Sequence, residues 1–209
     1  KGAQRESFVP FGRLADIEVE YVSDELFPLF ANRLLSKSRP EYSAYLHWLG
    51  LSEASYDVLD ELARTGGLRA TDQLEMIPCP KPSLDQQYEV FFFARGLRHL
   101  TETSRLRCME LKPGDPLYLA RDVQNAHDPN ALLLRTAEPV AVVGYTPRYY
   151  SAEFSRLMDL VSPDHIRVEV LQVNYDAPVQ YRLLCHLKAP WPSDFSPCTQ
   201  DEYLPLVNH

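Results

Sequence analysis

The sequence predicts an α+β protein in which a small helical N-terminal subdomain precedes a small β-barrel with one covering helix. Three observations support this prediction. Apolar residues recur at three- and four-residue steps in the front third, prolines occupy positions 78, 80 and 82, and short runs rich in β-branched and aromatic residues follow. We therefore expect a helical subdomain (residues 1–76), a proline-rich linker (77–84), a barrel domain (85–189) and a C-terminal tail (190–209).

The front third is expected to hold three short helices. In the first, Leu26, Leu29, Phe30 and Leu34 recur with helical spacing. Glycines follow the second and third helices, and glycine permits the left-handed turn that often ends a helix. The expected helices run from a cap at Ser23 or Asp24 to before Pro40, from Glu41 to Leu49 before Gly50, and from about Ser55 to Arg64 before Gly66 and Gly67.

Beyond the linker the apolar pattern is that of strands. Ile166, Val168 and Val170 alternate with charged residues, which predicts a strand with one buried and one solvated face. One helix is expected among the strands, from a cap at Ser151 through Phe154 to about Val161. Six strands with a covering helix favour a closed or partly closed barrel. The expected strands are Tyr88–Phe93, Leu117–Leu119, Ala131–Arg135, Val140–Tyr145, Ile166–Val173 and Tyr181–Leu187.

Composition restricts the classes of function. With 45% hydrophobic and 24% charged residues the chain is expected to be globular. A net charge of −8 argues against a protein that coats duplex DNA, because non-specific affinity comes mainly from neutralised phosphates. The acidity lies mostly outside the barrel, since residues 85–188 carry 12 Lys and Arg against 13 Asp and Glu. A local basic patch is therefore compatible with the sequence.

No enzyme template is recognisable, and we expect neither a cofactor nor a metal. His127 and Asp128 resemble half of a ligand set, but a catalytic metal normally takes three protein ligands and nothing places a third beside them. A metal-dependent nuclease is kept only as a minor hypothesis. The four cysteines are far apart in sequence and are expected to be reduced, mostly buried thiols. Without an apolar membrane span or signal peptide, a cytoplasmic location is expected.

Four ordered motifs mark the second half of the chain. They are Gly96-Leu97-Arg98-His99, Gly114-Asp115, Asn125-Ala126-His127-Asp128-Pro129-Asn130-Ala131 and Gly144-Tyr145-Thr146-Pro147-Arg148. Their order resembles the HIRAN family over residues 88–187, about half of the chain.

The resemblance implies a nucleic-acid-binding module of OB-like shape, of a type found in remodelling helicases and in many bacterial proteins. In the characterised eukaryotic case such a module captures the 3′-hydroxyl end of single-stranded DNA. Histidine stands here at two positions where that relative has tyrosine. The resemblance implies that Arg98 contacts a phosphate and that His99 and His127 stack on the terminal base. It also implies that Asp128 accepts a hydrogen bond from the 3′-hydroxyl. Tyr145 and Arg148 would line the same groove.

Each of these residues also has a purely structural interpretation. Asn125, Asp128 and Asn130 suit a tight turn, because Asx side chains bond their own backbone. Tyr145 suits a strand end that faces the core, and Arg148 suits a solvated helix entrance. Both interpretations are open at the level of sequence.

A second resemblance concerns the front segment. Leu26 to Leu35, followed by the helix end at Leu62–Gly67, is similar to the N-terminal subdomain of HipA-type toxin kinases, although no kinase body is present. This motivates a competing hypothesis, in which the chain is a protein-interaction or regulatory subunit that docks a kinase-like, helicase or toxin–antitoxin partner.

Overall fold

Six antiparallel strands form the sheet of this protein. The structure is a computed structural model that describes residue 14, residue 16, residues 18–72 and residues 74–204. The strand order is β1-β6-β5-β2-β3-β4, and every pairing is antiparallel. The strands are β1 (Gln87–Phe93), β2 (Pro116–Arg121), β3 (Leu132–Thr136), β4 (Val142–Tyr145), β5 (Arg167–Val173) and β6 (Leu183–Pro190).

The sheet curls until its two edges meet at one point. Just after β1, Arg95 and Tyr145 exchange both backbone hydrogen bonds, at 2.8 and 2.9 Å. Tyr145 is the last residue of β4, the opposite edge strand. The prediction of an α+β chain with a partly closed barrel is confirmed, and we call this meeting point the seam.

The barrel interior is filled from alternating strand positions and from one helix. Val168 and Val170 of β5 are buried while Arg167 and Glu169 are exposed, as the alternation predicts. The helix Arg148–Leu160 covers the barrel. Its Phe154 is fully buried among aromatic rings, stacked on one and edge-on to another. These contacts make one continuous core.

Two helix predictions in the barrel region are corrected. The covering helix begins three residues before the expected cap, because Pro147 precedes it and proline with its fixed φ suits a helix entrance. Ser151 lies inside the helix, where its hydroxyl donates to the Pro147 carbonyl oxygen. A further helix, Glu102–Glu110, was not predicted. The Thr101 hydroxyl caps it by accepting from the Ser104 N–H.

The front part holds three helices in its described residues, all shorter than predicted. The first spans only Pro28–Ala31. It begins no earlier than Pro28, because a residue that precedes proline is disfavoured in the helical region and Phe27 is extended. Ser23 does not cap it, and its hydroxyl accepts from the Glu25 N–H in a turn. The other two are α2 (Tyr42–Trp48) and α3 (Val58–Thr65). Helix α3 is capped by Asp57 and ends at Gly66, which has a φ near 70°. In chain order, α1 is Pro28–Ala31, α4 is Glu102–Glu110 and α5 is Arg148–Leu160.

The front part packs on the outer face of the barrel. Leu49 is fully buried with Phe93 and Leu184 in a second apolar cluster. Hydrogen bonds also join the last turn of α2 to the barrel. The side-chain amides of Gln172 and Asn174 donate to the carbonyl oxygens at the end of the helix, at 2.9 Å each. The front part is therefore fixed on β1, β5 and β6. The predicted division at the proline-rich segment stays a prediction, although residues 77–84 contain neither helix nor strand.

A buried arginine fixes the loop that follows α3. The Arg33 side chain is 1% exposed, and it donates to the Gly67 carbonyl oxygen at 2.7 Å and to Asp72 Oδ2 at 2.8 Å. The hydrogen bond from Arg33 to Asp72 holds the pKa of the Asp72 carboxyl below its ordinary value. The loop is closed at its far end by the Met76 N–H, which donates to the Gly66 carbonyl oxygen at 2.8 Å. We call residues 66–76 the pinned loop; residue 73 lies outside the described residues.

The start of the tail is bonded to the barrel core. The buried Glu153 carboxylate accepts from the Tyr88 hydroxyl at 2.8 Å and from the Cys198 N–H at 2.7 Å. Cys108 and Cys185 are buried, as expected, whereas Cys79 is exposed. In the described part of the chain, none of the helices combines the length and the apolar character that crossing a membrane requires.

Candidate nucleic-acid interface

Two neighbouring cavities lie beside the seam of the barrel. The larger cavity, about 640 Å³, is bordered by the turn at residues 125–131, by the β4 end and by the entrance of α5. The smaller cavity, about 460 Å³, lies between the residues after β1 and the pinned loop. Both are in the size range of sites for small ligands. Both are lined by Leu68, Arg95, Gly96 and His99, so the two cavities adjoin, and we call them together the groove.

The sequence-predicted residues meet in this groove. The six residues come from three stretches of sequence (98–99, 127–128 and 145–148), and the fold brings them to one side of the barrel. The histidine and arginine side chains are exposed, whereas Asp128 and Tyr145 are half-buried. His99, His127, Asp128, Tyr145 and Arg148 line the larger cavity, and Arg98 lines the smaller one together with His99.

The turn that carries His127 and Asp128 is built by Asn125. Its Oδ1 accepts from the backbone N–H groups of both residues at 3.0 Å. Asp128 Oδ1 in turn accepts from the Asn130 N–H at 2.9 Å. The structural interpretation of Asn125 is therefore correct. Within the described residues, Asp128 Oδ2 has no hydrogen-bond partner in the protein, so one carboxylate oxygen is left for a ligand.

Tyr145 is held in place by its hydroxyl. The hydroxyl donates to Asp122 Oδ2 at 3.0 Å. Burial and this hydrogen bond raise the pKa of Tyr145 above its ordinary value, so the phenol stays neutral. The ring packs directly against the backbone of Gly96, which precedes Arg98 and His99 in a left-handed conformation with φ of 74°. Tyr145 therefore lies directly beside the start of the segment that carries Arg98 and His99.

The structure adds Arg95, which sequence reasoning missed. Arg95 lies in the wall of both cavities, and its positive charge acts on Tyr149 and Tyr181. Burial raises the pKa of both tyrosines, and the positive charge of Arg95 opposes that rise. Its place immediately before the Gly96-Leu97-Arg98-His99 motif was the available signal. Arginine holds its charge at any ordinary pH, so it suits a permanent phosphate contact.

The pinned loop also reaches the groove, which the sequence did not predict. Leu68 lies in the lining of both cavities, Arg69 in the smaller and Glu75 in the larger. The two cavities differ in charge. Glu75 and Asp128 accompany Arg95 and Arg148 in the larger one, whereas the smaller one has three arginines and, among the described residues, no carboxylate.

Replacing Gly96 by alanine is expected to destabilise the protein and to weaken any ligand binding at the groove. An added Cβ would lie 2.8 Å from the Tyr145 ring, and the left-handed backbone costs a side chain about 1–2 kcal/mol. Gly114→Ala is the matched control, because its φ is also positive, at 89°, but nothing lies within 4 Å of the added atom. Chemical denaturation of both variants measures the difference. Equal losses of stability would contradict a packing role for the Gly96–Tyr145 contact.

The groove offers hydrogen-bonding and charged groups but no metal-binding cluster. Among the residues that the structure describes, no three His, Cys, Asp or Glu side chains are grouped so that they could hold a metal ion. No third metal-binding side chain among the described residues is therefore grouped with His127 and Asp128. What the groove can do chemically is bind anionic groups through arginine and accept a hydrogen bond through Asp128.

Comparison with known proteins gives one family and two solved structures. The family model described as the HIRAN domain matches residues 87–191. A crystal structure of a protein from Lactobacillus plantarum is 21% identical, with 49% of this chain and 96% of that chain covered and a TM-score of 0.36. The crystal structure of the HIRAN domain of human HLTF is 18% identical, with 48% and 74% covered and a TM-score of 0.37. No curated protein matches significantly, and the resemblance of the front segment to HipA-type kinases has no support here.

Proposed function

Since this chain belongs to the HIRAN domain family, we propose that it is a non-catalytic module that binds single-stranded DNA at its 3′ end, in the groove beside the barrel seam. The observation that carries the proposal is the meeting of the family's motif residues around one cavity. His99, His127, Asp128, Tyr145 and Arg148 come from separate parts of the chain and all line the larger cavity.

The side chains in this cavity suit a terminal nucleotide. Exposed imidazole rings offer flat faces to a base, and stacking of a base on an aromatic side chain is worth about 1–3 kcal/mol. Arg148 and Arg95 supply positive charge for a phosphate. The imidazole ring of histidine offers less stacking area than the ring of tyrosine, so we expect modest affinity. Because the phosphate contacts are electrostatic, the affinity should fall as salt rises.

Asp128 favours a chain end over an internal position. A carboxylate repels phosphate, and every internal position of a strand has a phosphate on both sides of the sugar. At a 3′ terminus a hydroxyl replaces one phosphate, and Asp128 Oδ2 is free to accept its proton. The same carboxylate would disfavour a strand that ends in a 3′-phosphate.

The regulatory-subunit hypothesis is less well supported. Leu49 and Tyr45 of the front part are packed on the barrel and are not offered to a partner. A helicase or toxin–antitoxin partner stays a prediction without an identified surface. A shared role, in which a partner brings this module to DNA ends, is compatible with the groove.

Fluorescence anisotropy with 5′-labelled oligothymidines that differ only in a 3′-hydroxyl or a 3′-phosphate tests the proposal. We expect tighter binding of the 3′-hydroxyl strand. Asp128→Asn should reduce the preference, because the amide removes the charge that repels phosphate while its oxygen can still accept from the Asn130 N–H. RNA oligonucleotides of the same length would report the sugar preference.

Asp164→Asn is the matched control, since Asp164 is an exposed aspartate outside the groove. It should leave the preference unchanged. Equal affinity of the wild-type protein for the two ends would overturn end recognition. Absence of binding to both strands would overturn the nucleic-acid function and favour the protein-partner hypothesis.

A further inference from the structure

The smaller cavity differs from the larger one in position and in charge. Its walls come from three parts of the chain: the residues after β1, the end of α3 with the pinned loop, and residues 179–181. Arg69, Arg95 and Arg98 line it, and no carboxylate among the described residues does so. In a protein with a net charge of −8 this is a local concentration of positive charge. Such a cluster repels itself unless an anion neutralises it.

Arg69 and Arg98 are free to meet a ligand. Both side chains are exposed, and neither forms an ion pair within the described part of the protein. Asp72 is near enough for Arg69 to affect its pKa, but its Oδ2 is bonded to Arg33. The guanidinium of Arg69 is therefore not paired with a carboxylate of the pinned loop.

The pinned loop is held before any ligand arrives. Arg33 bonds both Gly67 and Asp72, on either side of Arg69, and the Met76–Gly66 hydrogen bond closes the loop. Leu68 is 52% exposed although it is large and apolar, and it lies where the two cavities join. An exposed leucine at this place offers an apolar contact to a base, next to a positive charge that suits the adjoining phosphate.

We propose that the smaller cavity is a second subsite, in which Arg69 of the front part and Arg98 of the barrel bind internal phosphates of a strand whose 3′ terminus occupies the larger cavity. This rests on the proposed function and extends it. The front part then belongs to the interface, and the strand runs from Asp128 past Leu68 to Arg69. A ligand too short to leave the larger cavity does not reach Arg69.

Arg69→Ala tests this through ligand length. Affinity is measured by anisotropy for oligothymidines of 3, 6 and 12 nucleotides with a 3′-hydroxyl, over a range of salt. We expect the variant to match the wild-type protein on the shortest strand and to bind the longest one several-fold more weakly. Its plot of log affinity against log salt should be shallower by about 0.7 on the long strand, the value for one lost phosphate contact.

Arg167→Ala is the matched control, because it removes the same charge from an exposed β5 position outside both cavities. Arg69→Lys should retain most of the salt dependence. If Arg69→Ala and Arg167→Ala behave alike at every length, the second subsite is overturned while end binding stands. If the wild-type protein binds no strand of any length, the proposed function itself has failed. Thermal unfolding of both variants establishes that each is folded.

Discussion

Glu61→Ala is expected to unfold the front part of the protein. The Glu61 side chain is fully buried, and its carboxylate accepts from the Leu35 N–H at 3.1 Å, the Tyr45 hydroxyl at 3.1 Å and the Tyr56 hydroxyl at 2.6 Å. Burial and then the neighbouring Glu61 raise the pKa of both tyrosines, so both remain proton donors. Alanine would leave three donors without their acceptor.

The donor residues Leu35, Tyr45 and Tyr56 are half-buried, so each lost partner is expected to cost about 1 kcal/mol, the lower end of the range for buried groups, and the total about 3 kcal/mol. That is a large share of the stability of an ordinary domain. Glu61→Gln should lose less, because its amide keeps one acceptor oxygen. Asp60→Ala, at an exposed position of the same helix, should change little.

Chemical denaturation followed by circular dichroism measures these differences, and the binding assay gives a second result. Because α3 leads directly into the pinned loop, Glu61→Ala should also weaken binding of long oligonucleotides more than short ones. A stability within about 0.5 kcal/mol of the wild-type value would show that Glu61 does not organise the front part.

Arg95→Ala is expected to cause the largest loss of DNA binding. Arg95 is the arginine that lies in the wall of both cavities, so its charge acts on the terminal nucleotide and on the strand beyond it. A hydrogen bond to a charged group is worth about 1.5–3 kcal/mol, which corresponds to a loss of tenfold or more in affinity. The loss should occur for short and long strands alike, in contrast to Arg69→Ala.

The fold should tolerate this substitution, because Arg95 closes the seam through its backbone groups and not through its side chain. Arg95→Lys should be intermediate, since lysine keeps the charge but not the planar fork of donors. Arg167→Ala again serves as the control for lost charge. Wild-type affinity in Arg95→Ala would place the ligand elsewhere on the protein.

The strands were predictable because their signals are local. The alternation around Val168 and Val170 and the order of the motif residues required no tertiary information. Helix α4 escaped prediction because it has no apolar face; Cys108 is its buried residue, and Leu106 is exposed. The first helix was expected to start too early, because apolar spacing continued across Pro28, where the preceding Phe27 is extended.

The groove was predictable only in part, for a different reason. The six motif residues could be named because they stand in a recognisable order. Arg69 and Leu68 could not, because they reach the groove through Arg33, whose contacts with Gly67 and Asp72 span more than thirty positions of sequence. Such contacts have no periodicity, so a single sequence does not reveal them.

The bonds between α2 and the barrel bear on the thermodynamics of binding. Gln172 and Asn174 hold the carbonyl end of α2 on the barrel, and the Arg64 side chain of α3 donates to the Leu49 and Gly50 carbonyl oxygens that follow α2. The pinned loop, which follows α3, is therefore already held beside the barrel wall of the smaller cavity. A ligand that meets a preorganised site loses its own freedom but does not have to order the protein as well. The entropy cost of association should therefore come mainly from the flexible strand, and a stiffer ligand should bind with a smaller entropic penalty.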